Sequence, residues 1–412
     1  MMFRSPYRPR LAVRAAATAA CAAAVLLGAA CSSSSSTAAS SSPGAASSSS
    51  VAASSGSGSS SASAAQNSGS AGSGIQSLVQ QDLAVPAQFT DSAPPITGVA
   101  KVKGDKILYI PISLQIGVFQ STLASMQQAA SHVGLTVSGC DAKFGPPGAA
   151  ACVNQALAEH VNAVVLDNVP VVLIGQGLHQ LEAAHIAVLE DQVNPTPGDD
   201  QLAYINLGGV TVIDSMADWI AADSRGQADA LIIEQDDTPQ QVAYVSDGLL
   251  PEFKKACPTC KTRVIAMDTE QLRNLPTQLE TALVQDSGVN YVASEFDTNA
   301  AYVVQGLKNS PLAGKVKVAG ALGDISSLQR VKSGQQAYDA LASVGFGGWA
   351  YTDDVLRMLT GMPPAQSTNP PWRAFDASNV GSVTVSAASV ADDGIFGGNT
   401  YSQVFLKLWG VS

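Results

Sequence analysis

Polar and aromatic side chains follow the short apolar runs of this chain, at the points where buried strands would end. Carboxylates, amides and phenyl rings suit the binding of a hydroxylated ligand, because the polar groups hydrogen bond to hydroxyls while a ring stacks on the ligand. In open α/β sheets, ligands bind at the carboxyl ends of the strands. The candidate ligand-binding residues are Gln115, Phe119, Gln120, Asp167, Asn168, Asp191, Asp236, Phe296, Asp297 and Asp324.

Several of these side chains also have a structural explanation. Phe119 could pack in the core beneath the first predicted helix, and Asp167 and Asn168 could cap the helix that follows them. Asp297 and Asp324 occupy positions typical of helix N-caps, where a carboxylate accepts hydrogen bonds from free backbone N–H groups. The sequence leaves these explanations open beside ligand binding.

The sequence contains no pattern typical of a catalytic site. Residues 105–362 hold no GxSxG nucleophile elbow, and no GxxxxGK phosphate loop is present. The segment GFGGWA at Gly345–Ala350 fits a dinucleotide fingerprint formally, but the acidic residue expected about twenty positions later is missing. No metal-ligand spacing connects the four histidines, His132, His160, His179 and His185. We therefore expect no enzymatic activity, no cofactor and no metal.

The composition limits the partners of this chain. It has 412 residues, of which 46% are hydrophobic and 13% charged, and its formal net charge is −11. That length allows two ordinary domains with tails, and the hydrophobic share allows a sizeable core. No basic run follows Arg14. A nucleic-acid partner is not expected, because phosphate binding needs a clustered basic face.

The N-terminus has the pattern of a secretory signal. A positively charged start ending at Arg14 precedes the apolar stretch Ala15–Ala30. The small residues before Cys31 resemble a bacterial lipoprotein cleavage box, although Gly28 stands where a large aliphatic residue is usual. We expect residues 1–30 to be a signal peptide and Cys31 to carry a lipid. Ordinary cleavage and an uncleaved anchor are the alternatives.

Two segments separate this signal from the predicted folded body. Residues 31–74 are almost entirely Ser, Ala and Gly, and they cannot bury enough apolar surface to offset the chain entropy lost on folding. We expect them to form a flexible tether that holds the body away from the membrane. Residues 75–104, which include Pro86, Pro94 and Pro95, are expected to form a lead-in segment of moderate order at best.

The remainder alternates between strand-like apolar runs and helical stretches. The first run, Ile107–Ile112, is continuous and typical of a parallel strand buried on both faces, and a helix is expected to follow it. The alternation restarts near the middle, giving halves of roughly 105–206 and 207–344. This pattern predicts an α/β fold with two doubly wound, parallel-sheet, Rossmann-like lobes. One more helix, Thr352–Thr360, precedes a Pro-rich crossover and a tail.

Four segments in a fixed order resemble the type I periplasmic binding proteins, and most closely the ribose-binding-like sugar-binding lipoproteins of ABC importers. They are PISLQIGVFQ, VNAVVLDNVP, VNYVASEFDTNAAYVVQGLK and KVAGALGDISSLQRVKSG. The resemblance covers about 105–362. It implies two lobes joined by a three-stranded hinge, with crossings near Leu207, Val344 and Met362 and a ligand cleft between the lobes.

The same resemblance implies the division of the chain and its role. The N-terminal lobe would comprise 105–206 plus 345–362, and the C-terminal lobe and tail would comprise 207–344 plus 363–412. The protein would be a monomeric, lipid-anchored binding protein on the extracytoplasmic face of the cell membrane, delivering a small-molecule ligand to an ABC permease. A ligand-sensing lipoprotein that signals to a membrane partner is one alternative, and an exported hydrolase is another.

The chain differs from these relatives at the loops where they often place arginine. Asp167 and Asn168 occupy one such position, and the region of Tyr244 occupies another. Because the predicted site keeps its carboxylates without these arginines, it should repel anionic sugars. We expect a neutral sugar or polyol, or an amine-bearing solute, stacked on Phe119 or Phe296.

Two of the six cysteines are accounted for by export, since Cys21 lies in the signal and Cys31 is the lipidation site. The other four, in an oxidising setting, are Cys140, Cys152, Cys257 and Cys260. Three pairings are possible, and local geometry favours Cys140–Cys152 with Cys257–Cys260. A redox-active CPTC motif, which resembles a thioredoxin site, and a zinc site are the alternatives.

Overall fold

The structure is a computed structural model that describes residues 74–91, 93–191, 201–365 and 369–411. The predicted signal peptide, Cys31 and the tether up to residue 73 lie outside the described residues. Within the described ranges, no helix is both long and apolar enough to cross a bilayer.

Two β-sheets organise the part of the chain that the structure describes. The strands are β1 (Lys106–Pro111), β2 (Thr136–Gly139), β3 (Ala163–Asp167), β4 (Ala187–Asp191), β5 (Leu202–Ile205), β6 (Asp229–Gln235), β7 (Lys261–Met267), β8 (Tyr291–Ser294), β9 (Lys317–Ala321), β10 (Tyr338–Ala342) and β11 (Trp372–Asp376). The first sheet is parallel, in the order β2-β1-β3-β4-β5. The second has the order β11-β10-β9-β8-β6-β7, and only its β10–β11 pair is antiparallel. The predicted two-lobe α/β fold is confirmed.

Helices connect and cover these strands. They are α1 (74–83), α2 (Gly117–Ser131), α3 (Pro146–Glu159), α4 (Val171–Ile174), α5 (Gly177–Ala183), α6 (Gly209–Asp223), α7 (Pro239–Ala243), α8 (Leu250–Ala256), α9 (Leu275–Gln285), α10 (Asp297–Lys308), α11 (Ile325–Lys332), α12 (Val344–Thr360), α13 (Ala387–Ala391) and α14 (Tyr401–Leu408). A π-helical stretch, Tyr244–Leu249, joins α7 to α8.

In the first lobe, which is built on the first sheet, β1 and β3 form the centre. Both are apolar along most of their length, and every side chain from Ile107 to the end of β1 is buried, as expected for parallel strands covered on both faces. Ile107 pairs with Val137 on one side and with Ala163 on the other. This parallel order brings the carboxyl ends of β1, β3 and β4 to one edge of the sheet.

In the second lobe, β6, β8 and β9 form the parallel centre and end at a corresponding edge. Their two faces bury separate apolar clusters, one under α6 and α8 and one under α9 and α10. The strands β10 and β11, which extend this sheet, did not emerge from the sequence pattern. The second lobe therefore has a larger sheet than predicted.

The chain returns to the first lobe through α12, which is eight residues longer at its start than the predicted Thr352–Thr360. The added turns contain Gly345, Gly347 and Gly348, which lie next to the crossing predicted near Val344. A Cβ at Gly348 would lie 2.6 Å from the backbone nitrogen of Met126 and 2.7 Å from Cβ of Ser125. Glycine is therefore required for the close packing of α12 on α2, and the formal dinucleotide fingerprint is a helix interior.

The lead-in segment is better ordered than expected and contacts both lobes. In α1, Val79 and Leu83 pack into the second-lobe core, while Ile96 and Val102 pack into the first-lobe core. The Arg373 guanidinium donates a hydrogen bond from Nε to the carbonyl oxygen of Leu83 at 3.1 Å. Apolar anchors at each end explain why a segment with three prolines is held in place.

The tail, which the sequence assigned as a whole to the second lobe, is divided between the lobes. Strand β11 completes the second sheet, whereas Tyr401, Phe405 and Trp409 at the C-terminus pack into the first-lobe core. Trp409 stacks on Trp349 of α12 with ring centroids 5.3 Å apart. The aromatic side chains of this last helix pack into the first lobe because α12 places Trp349 against them.

Both cysteine pairs that the spacing favoured are disulfides in the structure. Cys140 is bonded to Cys152 across 5.6 Å between Cα atoms, and Cys257 to Cys260 across 5.3 Å. The first links the end of β2 to α3, and the second closes the turn between α8 and β7.

Candidate ligand-binding site

A cleft of about 220 Å³ lies between the two lobes, at the carboxyl ends of their parallel strands. Its apolar and aromatic lining includes Ile112, Ile116, Val118, Phe119, Phe144, Leu207, Tyr244, Phe296, Leu322, Val344, Tyr351 and Pro370. Its polar lining includes Thr122, Asp167, Asn168, Asp191, Asn206, Gln235, Asp237, Gln241, Thr298 and Ser343. Pockets for drug-sized ligands occupy roughly 300–1,000 Å³, so this cleft suits a smaller solute.

Two buried carboxylates lie on the first-lobe side of the cleft. Asp167 ends β3 and accepts hydrogen bonds from the Tyr109 hydroxyl at 2.5 Å and the Asn168 amide at 3.1 Å. Asp191 ends β4, and the nearby Tyr351 hydroxyl lowers the pKa of both carboxylates. Burial raises the pKa of both groups, and the charge of Asp167 raises the pKa of Asp191 further. Neutral hydroxyl and amide donors thus surround this pair.

Amides and one further carboxylate lie on the second-lobe side. Gln235 ends β6, and its Nε2 donates to Asp237 Oδ2 at 2.7 Å and to Thr269 Oγ1 at 2.6 Å. Thr238 caps α7: its hydroxyl accepts from the backbone nitrogen of Gln241 and donates to the Gln241 side-chain oxygen at 3.1 Å. This cap fixes the Gln241 amide at the cleft.

Aromatic rings from both lobes reach the cleft. Tyr244 begins the π-helical stretch, and its ring lies edge-on to that of Phe296 with centroids 5.9 Å apart. Phe119 and Phe144 line the cleft from the first lobe. Single π-helical turns occur often at functional sites, because the extra residue redirects the side chains near it. Here the redirected residue is Tyr244.

Three lining residues have left-handed backbone conformations, which asparagine adopts readily but which strain bulky side chains. Phe144 has φ of 59°, Asn168 of 55° and Leu322 of 52°. Such conformations cost energy in bulky residues and cluster where a backbone is held for function. They lie in the loops after β2, β3 and β9, and Asn168 and Leu322 directly follow strand ends.

A family model for the periplasmic binding protein domain matches residues 107–361. This chain belongs to that family. A periplasmic binding protein is an extracytoplasmic solute-binding protein and not an enzyme, which agrees with the lack of catalytic patterns in the sequence. No curated protein matches the chain.

Solved structures similar to this periplasmic binding protein include three transporter solute-binding proteins, the first two of ABC transporters. One, from Agrobacterium vitis, was solved with α-D-tagatopyranose; it is 16% identical, with a TM-score of 0.59 over 67% of this chain and 96% of its own. Another, from Actinobacillus succinogenes with D-allose, is 15% identical, with a TM-score of 0.59 over 68% and 100%. A third, from Thermotoga lettingae with 5-methylthioribose, is 12% identical, with a TM-score of 0.62 over 79% and 100%. At these identities the likeness shows the shared fold.

The structure brings five of the ten predicted ligand-binding residues together in the cleft. These five are Phe119, Asp167, Asn168, Asp191 and Phe296. Gln115, Gln120 and Asp236 are exposed and lie outside its lining. The side chain of Gln120 instead donates to the carbonyl oxygen of Leu114 at 2.7 Å, within its own loop.

Asp297 and Asp324 also lie outside the cleft lining and have structural partners. Asp297 is buried at the start of α10, where its carboxylate accepts hydrogen bonds from Arg330 and, at 2.7 Å, from Gln336. Asp324 is the N-cap of α11 and forms a capping box with Ser327. Both expectations of ligand contact are therefore replaced by the structural explanation.

Sequence reasoning missed other residues that line the cleft. They include Asn206, Gln235, Gln241 and Tyr351. Gln235 could have been found, since it ends the apolar strand β6 as Asp167 ends β3. Tyr351 lies well inside α12 and had no such signal.

Proposed function

We propose that this protein is the solute-binding lipoprotein of an ABC importer and delivers a small hydroxylated solute of the sugar or polyol class to a membrane permease. The observation that carries the proposal is the cleft, where strand ends of both lobes bring rings and hydrogen-bonding groups around about 220 Å³. Hydroxyl groups of a solute would satisfy the buried amides and carboxylates, and a ring would lie against the aromatic residues. The sugars in the three similar structures support this class of ligand.

Enclosure of a solute between the two lobes suits a protein that delivers the solute without changing it chemically. Several chain segments pass between the lobes, and Leu207, Val344 and Pro370, which lie in or next to three of them, also line the cleft. A solute that contacts both lobes would stabilise their closed arrangement, which a permease can distinguish from the open one.

Ligand identity is tested first by mass spectrometry of small molecules released from protein purified from its own cells. Calorimetry with the released solute then compares Phe144→Ala with Val172→Ala. Phe144 lines the cleft and is 40% exposed, so its loss should leave the fold intact and weaken binding about tenfold. Val172 is 70% exposed outside the cleft and serves as the control. Equal affinities of both variants, or failure to bind any sugar or polyol, would contradict the proposed function.

Anchoring is tested separately at Cys31. The mature chain is expected to begin with a diacylglyceryl-modified Cys31, and residues 32–74 would then form the link to the folded body. Intact-mass analysis of the membrane-bound protein should show the lipid. Cys31→Ala should release the protein from the membrane; retention of this variant would refute the anchor.

A further inference from the structure

The charged side chains that line the cleft are all acidic. Among the described lining residues, Asp167, Asp191 and Asp237 carry carboxylates, and none is Lys, Arg or His. Segments 192–200 and 366–368, outside the described residues, contain no basic residue in the sequence. The described lining thus presents negative charge without a cation of the chain to balance it.

Asp167 and Asp191 are the part of this charge that water screens least. They are 5% and 8% exposed, and the nearby Tyr351 hydroxyl lowers the pKa of both. Their other hydrogen bonds come from neutral groups, including the Tyr109 hydroxyl and the backbone N–H of Leu207. Neutral donors offset only part of the cost of burying two like charges near each other.

A second observation, independent of charge, points to a ligand at the same place. Gln241 is 9% exposed and lines the cleft. Its side-chain oxygen accepts from Thr238, and its Nε2 forms no hydrogen bond with the described residues. Nε2 is thus available to donate to a ligand acceptor in the cleft, and leaving it unpaired once a ligand excludes water would cost about 1–3 kcal/mol.

The aromatic lining is compatible with a cation. A positive charge within about 6 Å of a ring centroid is attracted to the ring face, most strongly where water is excluded. Tyr244 and Phe296 supply two rings from the second lobe, and Phe119 and Tyr351 supply two from the first. The same rings would also pack against the carbon skeleton of a small solute.

We propose that the solute carries a protonated amine, which binds between Asp167 and Asp191, and an acceptor such as a hydroxyl, which receives the hydrogen bond of Gln241. This inference rests on the proposed function, because it takes the interlobe cleft as the ligand site. It assigns the solute to small amino sugars and amino alcohols rather than to neutral sugars.

Protons compete with such an amine. Without ligand, the raised pKa values favour a proton on the carboxylate pair, and the ammonium group takes the place of that proton. The other titratable groups that interact with the pair are all acidic: Tyr109, Glu190, Tyr244 and Tyr351. Ammonium affinity should therefore rise with pH as the pair ionises, while the affinity for a neutral solute should not.

The test uses two matched pairs of probes, measured by calorimetry and by NMR shifts of the cleft residues. D-glucosamine is compared with D-glucose, and benzylamine with benzyl alcohol. In each pair the ammonium compound should bind at least about tenfold tighter than its neutral partner, because a charge-assisted hydrogen bond is roughly twice as strong as a neutral one. For benzylamine, whose amine stays protonated, this advantage should grow between pH 5 and 8.

Substitution of single carboxylates tests which of them bind the ammonium group. Asp191→Asn and Asp167→Asn should each reduce ammonium binding about tenfold or more and leave the neutral probes nearly unchanged. Asp236→Asn is the matched control, because Asp236 is exposed at the end of β6 and does not line the cleft. Circular dichroism confirms that each variant is folded, and either cleft variant alone suffices for the comparison.

The outcomes separate this inference from the proposed function. Equal or tighter binding of both neutral probes, or no binding of either ammonium compound at about 10 mM, would overturn the inference. If D-glucose then binds in the cleft and Phe144→Ala weakens it, the proposed function stands without the inference. If benzylamine shows the ammonium preference and no sugar, amino sugar or polyol binds, the inference stands and the sugar class of the proposed function falls.

Discussion

Two buried carboxylates inside the lobes, Asp297 and Asp353, differ from the pair at the cleft. Inside the second lobe, Asp297 accepts hydrogen bonds from the Arg330 guanidinium and the Gln336 amide. Burial raises the pKa of Asp297 to about 6, and Arg330 opposes that rise. At the cleft, burial raises the pKa of Asp191 well above its usual range, and Asp167 adds to the rise instead of opposing it.

The first lobe repeats the pattern seen at Asp297. Asp353 is buried in α12, where it accepts hydrogen bonds from Arg357 at 2.6 Å and from the Trp409 indole at 2.7 Å. Arginine therefore lies beside Asp297 and Asp353, each of which is buried inside one lobe. Among the described residues, no arginine lies beside Asp167 and Asp191 at the cleft. Glu295 and Asp339 are also buried without an arginine hydrogen bond, so it is the position of the Asp167–Asp191 pair in the cleft that supports a partner from outside the chain.

Loss of the carboxylate at Asp297 should have the largest effect on stability. Asp297→Ala leaves the largely buried Arg330 without its partner, and breaking a buried pair costs about 3–5 kcal/mol. Urea unfolding should show this loss, while ligand affinity of the folded fraction stays unchanged. A loss below about 1 kcal/mol together with weaker binding would return Asp297 to the ligand site.

At the cleft, removing a carboxylate charge should stabilise the ligand-free protein instead of destabilising it. Because the folded-state pKa of Asp191 is raised, ionisation destabilises the ligand-free protein progressively as pH rises from the unfolded value of 3.8 toward the folded one. Asp191→Asn removes this cost, so it should stabilise the ligand-free protein by about 1–2 kcal/mol at pH 8 and leave it unchanged below pH 4. Destabilisation at pH 8 would mean that the carboxylate has a structural partner.

A smaller effect is expected at Asp324, which serves as a third kind of carboxylate, exposed and capping. Asp324→Ala should cost about 1 kcal/mol through loss of the α11 capping box, with no change in ligand affinity. Chemical denaturation and calorimetry on the same variant measure both. A tenfold loss of affinity would show that this loop reaches the ligand.

The smallest effect is expected at Asp218 on α6, where burial and the nearby Glu252 and Asp82 raise the pKa to about 7. The charge of Lys255 opposes this rise and is the smallest of these influences. Asp218→Asn should therefore raise the melting temperature at pH 8, by the equivalent of about 1 kcal/mol or less, and the gain should vanish toward pH 4. A gain that is independent of pH would exclude ionisation as its cause.

The sequence predicted the parts of the fold that depend on continuous apolar runs. Strands β1 and β3 stood out because turn residues bound runs of large aliphatic side chains. Strand β10 did not, since Tyr338–Ala342 contains two alanines and the buried Asp339, whose pKa burial raises and which accepts a hydrogen bond from Ser327. The start of α12 was hidden by glycines that only close packing against another helix explains.

The candidate site was predictable to the extent that strand ends define it. Asp167 and Asp191 end strands and Phe296 lies two residues after one, so sequence order alone places them near the edge of a sheet. Asp324, the N-cap of α11, also follows a strand. The sequence pattern alone therefore could not distinguish a helix-capping residue from a ligand-binding residue. Tyr244 was hidden for another reason: a π-helical stretch departs from the 3.6-residue period that sequence reasoning uses to assign helix faces.

The most direct test of the contrast between paired and unpaired carboxylates is a pH titration of Asp191 by ¹³C NMR, with the carboxyl resonance assigned from Asp191→Asn. In ligand-free protein, Asp191 should titrate well above its usual range, and a bound ammonium probe should bring its pKa down. If Asp191 titrates near its ordinary value without ligand, or if the bound ammonium leaves its titration unchanged, the cleft pair is not the partner of a cationic solute.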